Sequence, residues 1–329
     1  MRVAAALAIG AEDVRDAATQ ISGAAVRTPL LENAALNART GRRVLIKFEG
    51  AQHTGSFKFR GAYNRLSRIA PGDRAAGVVA WSSGNHAQGV AAAARLLGMP
   101  ATIVMPADAP AIKIGNTRAL GAEIIFYDRA TQSREAIATA IALERGAVIV
   151  PSYDDPHIIA GQGTVGLEIL HQAREAGADV GQILACCGGG GLVAGIATAV
   201  KDAAPEVDIY AVEPDAFDDT TRSLASGIRE IVATGSTSIC DALLAPSPGE
   251  LTFPINRTLL AGGLTVSDDE VRTTIRFAFE TLKLVVEPGG AVALAALLHG
   301  KAPYRNDAVA VVVSGANVDP ADYAAILRS

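Results

Sequence analysis

Two short segments carry residues whose types and spacing suit covalent chemistry on a phosphate-bearing molecule. The first is Thr54-Gly55-Ser56-Phe57-Lys58-Phe59-Arg60-Gly61-Ala62. Ser56 is placed to cap a helix, which puts Lys58 in its first turn. A cation there opposes the helix dipole, so the amine's proton affinity falls and the neutral nucleophile needed for a Schiff base is favoured. Two flanking phenylalanines set this lysine apart from a solvated one. The second segment is Cys186-Cys187-Gly188-Gly189-Gly190-Gly191-Leu192, between a predicted strand and a predicted helix. Its glycines let the backbone turn sharply and aim several N–H groups at one anion, with the helix start adding partial positive charge. Gly189, Gly191 and Ala194 also satisfy G-x-G-x-x-[GA], and Glu213 follows about twenty residues later, so the loop reads equally as a dinucleotide site. At this level an NAD-dependent dehydrogenase stands as a rival, with Glu213 on the ribose.

Two further junctions are weaker. Ser82-Ser83-Gly84-Asn85-His86-Ala87-Gln88-Gly89 offers hydroxyls, an amide and helix-start N–H groups, a set suited to a carboxylate. His86 alone reads equally as a structural histidine. Ser314, in Val313-Ser314-Gly315-Ala316-Asn317, ends a buried apolar run, and strand C-terminal ends line the ligand crevice of a parallel sheet.

The elements that must hold these groups alternate between short β-rich runs and helical stretches, which predicts an α/β fold with parallel sheets. Strands are expected at 44–48, 77–81, 101–105, 122–127, 147–150, 182–187, 207–212 and 308–313. Helices are expected from Ser56, after Asn85, up to Leu120, and at 131–145, 163–173, 192–203, 267–282 and 290–298. The phasing of Val14, Ala18 and Ile21 makes the apolar start of the chain the lead-in to a helix rather than an export signal. With 329 residues the chain is long enough for two domains, and at 50% hydrophobic it can fill their cores. Twenty-nine Lys and Arg against 34 Asp and Glu leave a net charge of −5, without the basic cluster that nucleic acid requires. No apolar run approaches a membrane span. Cys186, Cys187 and Cys240 form neither a disulfide framework nor a metal knuckle, so reduced thiols and a cytoplasmic location are expected.

In order and spacing, these motifs resemble the pyridoxal-phosphate (PLP) enzymes of the tryptophan-synthase-β fold, fold type II. The resemblance is to the serine/threonine dehydratase family, which includes serine racemase and 3-hydroxyaspartate dehydratases. It runs from Arg27-Thr28-Pro29-Leu30 through the lysine, asparagine and glycine segments, Val212-Glu213-Pro214 and Val286-Glu287-Pro288-Gly289-Gly290-Ala291, to Val313–Asp319. It implies two open twisted α/β domains with the cofactor in the cleft between them. The large one would comprise 1–76 and 155–329, and a small mobile substrate domain 77–154.

The resemblance assigns the glycine loop to the PLP phosphate, held by Gly188, Gly189, Gly190, Gly191 and Leu192. Lys58 becomes the Schiff-base lysine and the base that takes the α-proton. Phe57 would lie against the ring, Asn85 would bond its phenolic oxygen, and Ser314 would meet the ring nitrogen with a hydroxyl, which makes the ring a weaker electron sink. Ser82, Ser83, Asn85 and His86 would take the substrate carboxylate, with Arg134 reaching it on closure. Ser83 matches the opposite-face acid/base of the racemases. A divalent cation, Mg²⁺ or Ca²⁺, would sit on Glu213, Asp219 and the Phe217 carbonyl, and the assembly would be a homodimer.

The implied reaction removes water from a β-hydroxy-α-amino acid to give a 2-oxo acid and ammonia. L-threonine and L-serine are the default substrates; 3-hydroxyaspartate, phenylserine and racemisation of serine are alternatives. A non-catalytic PLP or amino-acid sensor is the rival from another class. Two departures bear on the site. His53 stands where relatives often have Lys or Arg, and Ala242 where they commonly have glycine.

Overall fold

In the computed structural model, residues 7–82, 84–109 and 111–328 are described. The chain builds two sheets. The larger has six strands in the order β1-β2-β10-β7-β8-β9: β1 Leu30–Glu32, β2 Val44–Phe48, β7 Val180–Cys186, β8 Asp208–Pro214, β9 Gly262–Val266 and β10 Ala308–Val313. Only the edge pair of β1 and β2 is antiparallel. The smaller sheet is parallel, in the order β5-β4-β3-β6: β3 Val78–Trp81, β4 Ala101–Pro106, β5 Glu123–Tyr127 and β6 Val148–Ile149.

The interior runs read as strands, β4, β7 and β10, are buried on both faces, as parallel sheets require, whereas β5 and β6 at the edges of the smaller sheet are only partly buried. In β10 every residue from Ala308 to Val313 is buried. The six-stranded sheet is covered in part by α7 (Pro156–Glu175), α8 (Gly191–Ala203) and the wholly apolar α12 (Pro288–Leu298). In β3 the side chains alternate as a strand dictates. Val78 and Ala80 join a core with α3 (Lys58–Ser67) and α4 (Asn85–Leu96), and Val79 joins another with α6 (Arg134–Arg145).

Several boundaries differ from the sequence reading for local reasons. The helix expected at 163–173 begins at Pro156, because Asp155 caps it through the His157 and Ile158 N–H groups and proline suits its first turn. The helix expected from Thr131 begins at Arg134, capped by Ser133. The first helix spans Ala11–Gln20 and buries Val14 and Ala17, with Ile21 buried just beyond it, so Ala17 rather than Ala18 faces inward. The long helix expected at 267–282 runs as Asp268–Phe277 and then widens into a π turn over Ala278–Leu282. The edge strands β1 and β9 have no counterpart in the sequence reading, being short and only partly buried. No helix among the described residues is long and apolar enough to cross a membrane.

Candidate active site

A cavity of about 480 Å³ opens beside the C-terminal ends of β3, β7 and β10. Its lining brings together Phe57, Lys58, Ser82, Asn85, His86, Arg134, the Gly188–Leu192 loop and Ser314. These come from five separate chain segments. Ser83 lies outside the described residues.

Lys58 is the first residue of α3, and Phe57, not Ser56, occupies the cap position. The expected Ser56 cap is not made: its buried hydroxyl has no partner, and Ser56 instead pairs its backbone with Gly315. Lys58 Nζ donates to the Ser152 carbonyl at 2.8 Å and stands 5.1 Å from the centre of the Phe57 ring. Burial pushes its pKa down to about 8, against weaker opposition from Cys186 and Glu287. A buried amine this short of counter-charge is a nucleophile in waiting.

The glycine loop fits an anion cradle. Gly190 has φ +91, and a Cβ there would stand 2.6 Å from Asn256 Nδ2. A Cβ on Gly189 would fall 2.4 Å from the ring of Tyr153. Only glycine lets the backbone N–H groups line the cavity at the start of α8. Thr252 donates to the Gly189 carbonyl at 2.7 Å and fixes the loop from behind.

Asn85 is buried and doubly held. Its Nδ2 donates to Glu287 Oε1 at 2.6 Å, and its Oδ1 accepts from Asn317 Nδ2 at 2.8 Å. The Glu287 side chain makes no capping bond to the helix it precedes, and burial with nearby Asp241 lifts its pKa to about 8. Neither Glu287 nor Asn317 was singled out from sequence; the signal available was their place in the motifs around 286–291 and 313–317.

His86 donates from Nε2 to the Val150 carbonyl at 2.9 Å, while Nδ1 has no partner. Burial and then Lys58 push its pKa down to about 3. The ring is therefore neutral with its one N–H already used, so it has no proton to donate to a carboxylate. The Ser82 hydroxyl accepts from the Gly84 N–H at 3.2 Å. Ser314 is buried and its carbonyl accepts from the Phe57 N–H at 3.1 Å. Arg134 Nε pairs with Glu135 at 2.8 Å. His53 lies outside the cavity lining, edge-on to Phe59 at 4.7 Å between centroids. Ala242 is in the lining, its Cβ 3.1 Å from where a Cβ on Gly289 would stand. Tyr153, Lys113, Arg229 and Asp241 also line the cavity and were not expected, as do the acids Glu135, Asp154 and Glu250.

Glu213, next to last in β8, lies outside this cavity. Its carboxylate accepts from the Thr220 N–H at 2.9 Å and from the Thr221 N–H and hydroxyl at 2.7 and 2.8 Å. Asp219 keeps one buried oxygen, Oδ2, without a partner. Among the described residues no group of three or more His, Cys, Asp or Glu side chains is placed to hold a metal ion, so any cation would need the Phe217 carbonyl as well. All three cysteines are free and buried.

Residues 21–315 match the model of the pyridoxal-phosphate dependent enzyme family. The chain belongs to that family. It is 46% identical over 316 residues to an L-threo-3-hydroxyaspartate ammonia-lyase of Pseudomonas sp, covering 96% of this chain and 98% of that protein. A Saccharomyces cerevisiae protein of the same name is 41% identical, covering 96% and 95%. Among solved structures, maize serine racemase superposes with a TM-score of 0.91 at 36% identity, covering 98% of this chain and 97% of that one. The fold is therefore PLP fold type II, the glycine loop belongs to a PLP enzyme rather than a dehydrogenase, and the chain is a PLP-dependent lyase of the ammonia-lyase type. The cradle, the uncompensated Lys58 amine and the clamped Asn85 all suit that cofactor.

Proposed function

We propose that this lyase removes water from L-threo-3-hydroxyaspartate, giving a 2-oxo acid and ammonia. The observation that carries the substrate is the two relatives of that name, matched over nearly the whole chain. In support, Arg134 and Arg229 line the cavity, paired there with Glu135 and Glu250, partners that a carboxylate of the substrate would replace.

In this reading Gly188, Gly189, Gly190, Gly191 and Leu192 hold the cofactor phosphate. Phe57 lies against the ring, Asn85 bonds its phenolic oxygen, and Ser314 faces its nitrogen. Bound PLP supplies an electron-withdrawing ring that spreads the charge left when a proton leaves the α-carbon. Lys58 anchors the cofactor and takes that proton, and its lowered pKa keeps it competent as a base near neutral pH. Ser82, Ser83, Asn85 and the N–H groups opening α4 receive the α-carboxylate, and Arg134 the second one. His86 contributes its backbone and its bond to Val150 rather than a side-chain donor. The β-hydroxyl leaves as water, and the unsaturated amine released hydrolyses to the oxo acid and ammonia.

L-serine and L-threonine are the second reading, favoured by the likeness to a serine racemase. Ser83 would make racemisation a side reaction. Ammonia release from L-threo-3-hydroxyaspartate, L-serine, L-threonine and phenylserine tests the order. We expect kcat/KM to be highest for hydroxyaspartate, by at least about tenfold, the usual yield of one well-placed charge-assisted contact. A higher value for L-serine or L-threonine establishes the second reading instead.

The same reading divides the chain into a large domain, 1–76 and 155–329, and a mobile one, 77–154, around the two sheets. It places Mg²⁺ or Ca²⁺ on Glu213, Asp219 and the Phe217 carbonyl, where the unpartnered Asp219 oxygen supports it. It also takes the protein to be a cytoplasmic homodimer.

A further inference from the structure

One ion pair at the cavity joins elements that belong to different sheets. Lys113 lies on α5 (Ala111–Ala119), which packs against β5 and α4 beside the four-stranded sheet. Asp241 opens a short 3-10 turn, Asp241–Leu243, that packs against α12 under the six-stranded sheet. The Lys113 ammonium bonds the Asp241 carboxylate, and both residues line the cavity. Their settings differ: the Lys113 side chain is 13% exposed and that of Asp241 50%.

Each partner also reaches the site. A Cβ on Gly84 would stand 3.9 Å from Lys113 Nζ, so the ammonium lies against the turn that opens α4 and presents Asn85. Asp241 is close enough to Glu287, the residue that holds Asn85, to help lift its pKa. The pair therefore spans from the wall carrying the Asn85 turn to the wall carrying the Asn85 clamp. The chain itself crosses between the sheets in two places, near 76–77 and near 150–156, so little covalent constraint fixes how far apart the walls stand.

Resting on the reading that this cavity binds the amino acid, we propose that Lys113 and Asp241 are positioning residues. Together they clasp the two sheets over the cavity and set how closely the Asn85 turn faces Lys58. A half-exposed ion pair shifts an equilibrium by a factor of a few rather than by orders of magnitude. Such a clasp biases the closed form while leaving it able to reopen for product release.

Trp81, the chain's single tryptophan, ends β3 on the cavity wall and reports on this directly. The experiment measures acrylamide quenching of Trp81 in substrate-free holoenzyme for the wild type, Lys113→Met, Asp241→Asn and the double variant. Each single variant is expected to raise the quenching constant about two- to fivefold. The double variant should go no further than the larger single, because both break the same contact. KM for the best substrate should rise by a similar factor, with the cofactor absorbance and thermal midpoint unchanged. Unaltered quenching in all three variants overturns the clasp, and so does a double variant whose effect is the product of the two singles. The quenching needs no turnover, so it stays readable even if hydroxyaspartate proves not to be the substrate.

Discussion

Lys58 and Arg60 are two residues apart on α3, yet they face opposite electrostatic worlds. Arg60 is fully buried and bonds Glu49 at 2.8 and 2.9 Å and Glu168 at 2.7 and 2.9 Å. Lys47, also fully buried, joins them through Glu168 at 2.6 Å and the Thr28 carbonyl at 2.8 Å. Two cations thus meet two carboxylates. Burial would raise Glu168, but Arg60 and Lys47 hold it below the usual carboxylate range. On the cavity side Lys58, His86 and Glu287 have no such matching. Burial prevails there, taking Lys58 down to about 8, His86 down to about 3 and Glu287 up to about 8. Matched buried charges fix where α3 sits, whereas unmatched ones tune what its first residue can do.

The sharpest way to break this contrast is to remove Lys58. Lys58→Ala should cut ammonia release by at least about a thousandfold, as loss of an anchoring base does, and abolish the covalent cofactor absorbance that borohydride fixes. A variant that kept that absorbance would displace Lys58 from the centre of the site. Removing Arg60 should act on the other property. Arg60→Met strands Glu49 in the core, and urea unfolding should show a loss of about 3–5 kcal/mol. The protein that remains folded should bind cofactor with an unchanged absorbance maximum; a loss under about 1 kcal/mol would erase the distinction between the two sides.

The smallest effect is graded with pH. The amine that captures cofactor must be neutral, and its pKa lies near 8 in the fold rather than at 10.5. Capture of PLP by the apoprotein should therefore speed up about tenfold per unit as pH rises towards 8, then level off. A rate still climbing at pH 10 would show that burial does not depress Lys58.

The α/β class and most interior strands were readable because buried parallel strands are unbroken apolar runs bounded by glycine and proline. The lysine and glycine segments were readable because each is local: the chemistry and the turn that shapes it lie within nine residues. What sequence hid was contact between distant segments. Nothing within the Asn85 segment indicates that Glu287 and Asn317, more than 200 residues away, hold its amide at both ends. The donor state of His86 depends on a carbonyl 64 residues on, at Val150. Tyr153 and Lys113 carry no motif at all; each is a surface-type residue until the two sheets meet. The Ser56 cap failed for a related reason, since its backbone is drawn into a bridge with Gly315.

The position of β10 has a consequence for how the protein is made. It is the last strand among the described residues, yet it lies between β2 and β7 inside the six-stranded sheet. Ser314 and Asn317 follow directly upon it. A ribosome must therefore deliver the chain as far as residue 313 before β2 and β7 acquire their shared neighbour, and until then both expose an unpaired edge. The four-stranded sheet, contiguous in the chain, faces no such wait. During synthesis the half that carries the Asn85 turn can form early, whereas the phosphate cradle and Lys58 are brought into register only when the final apolar strand slides in.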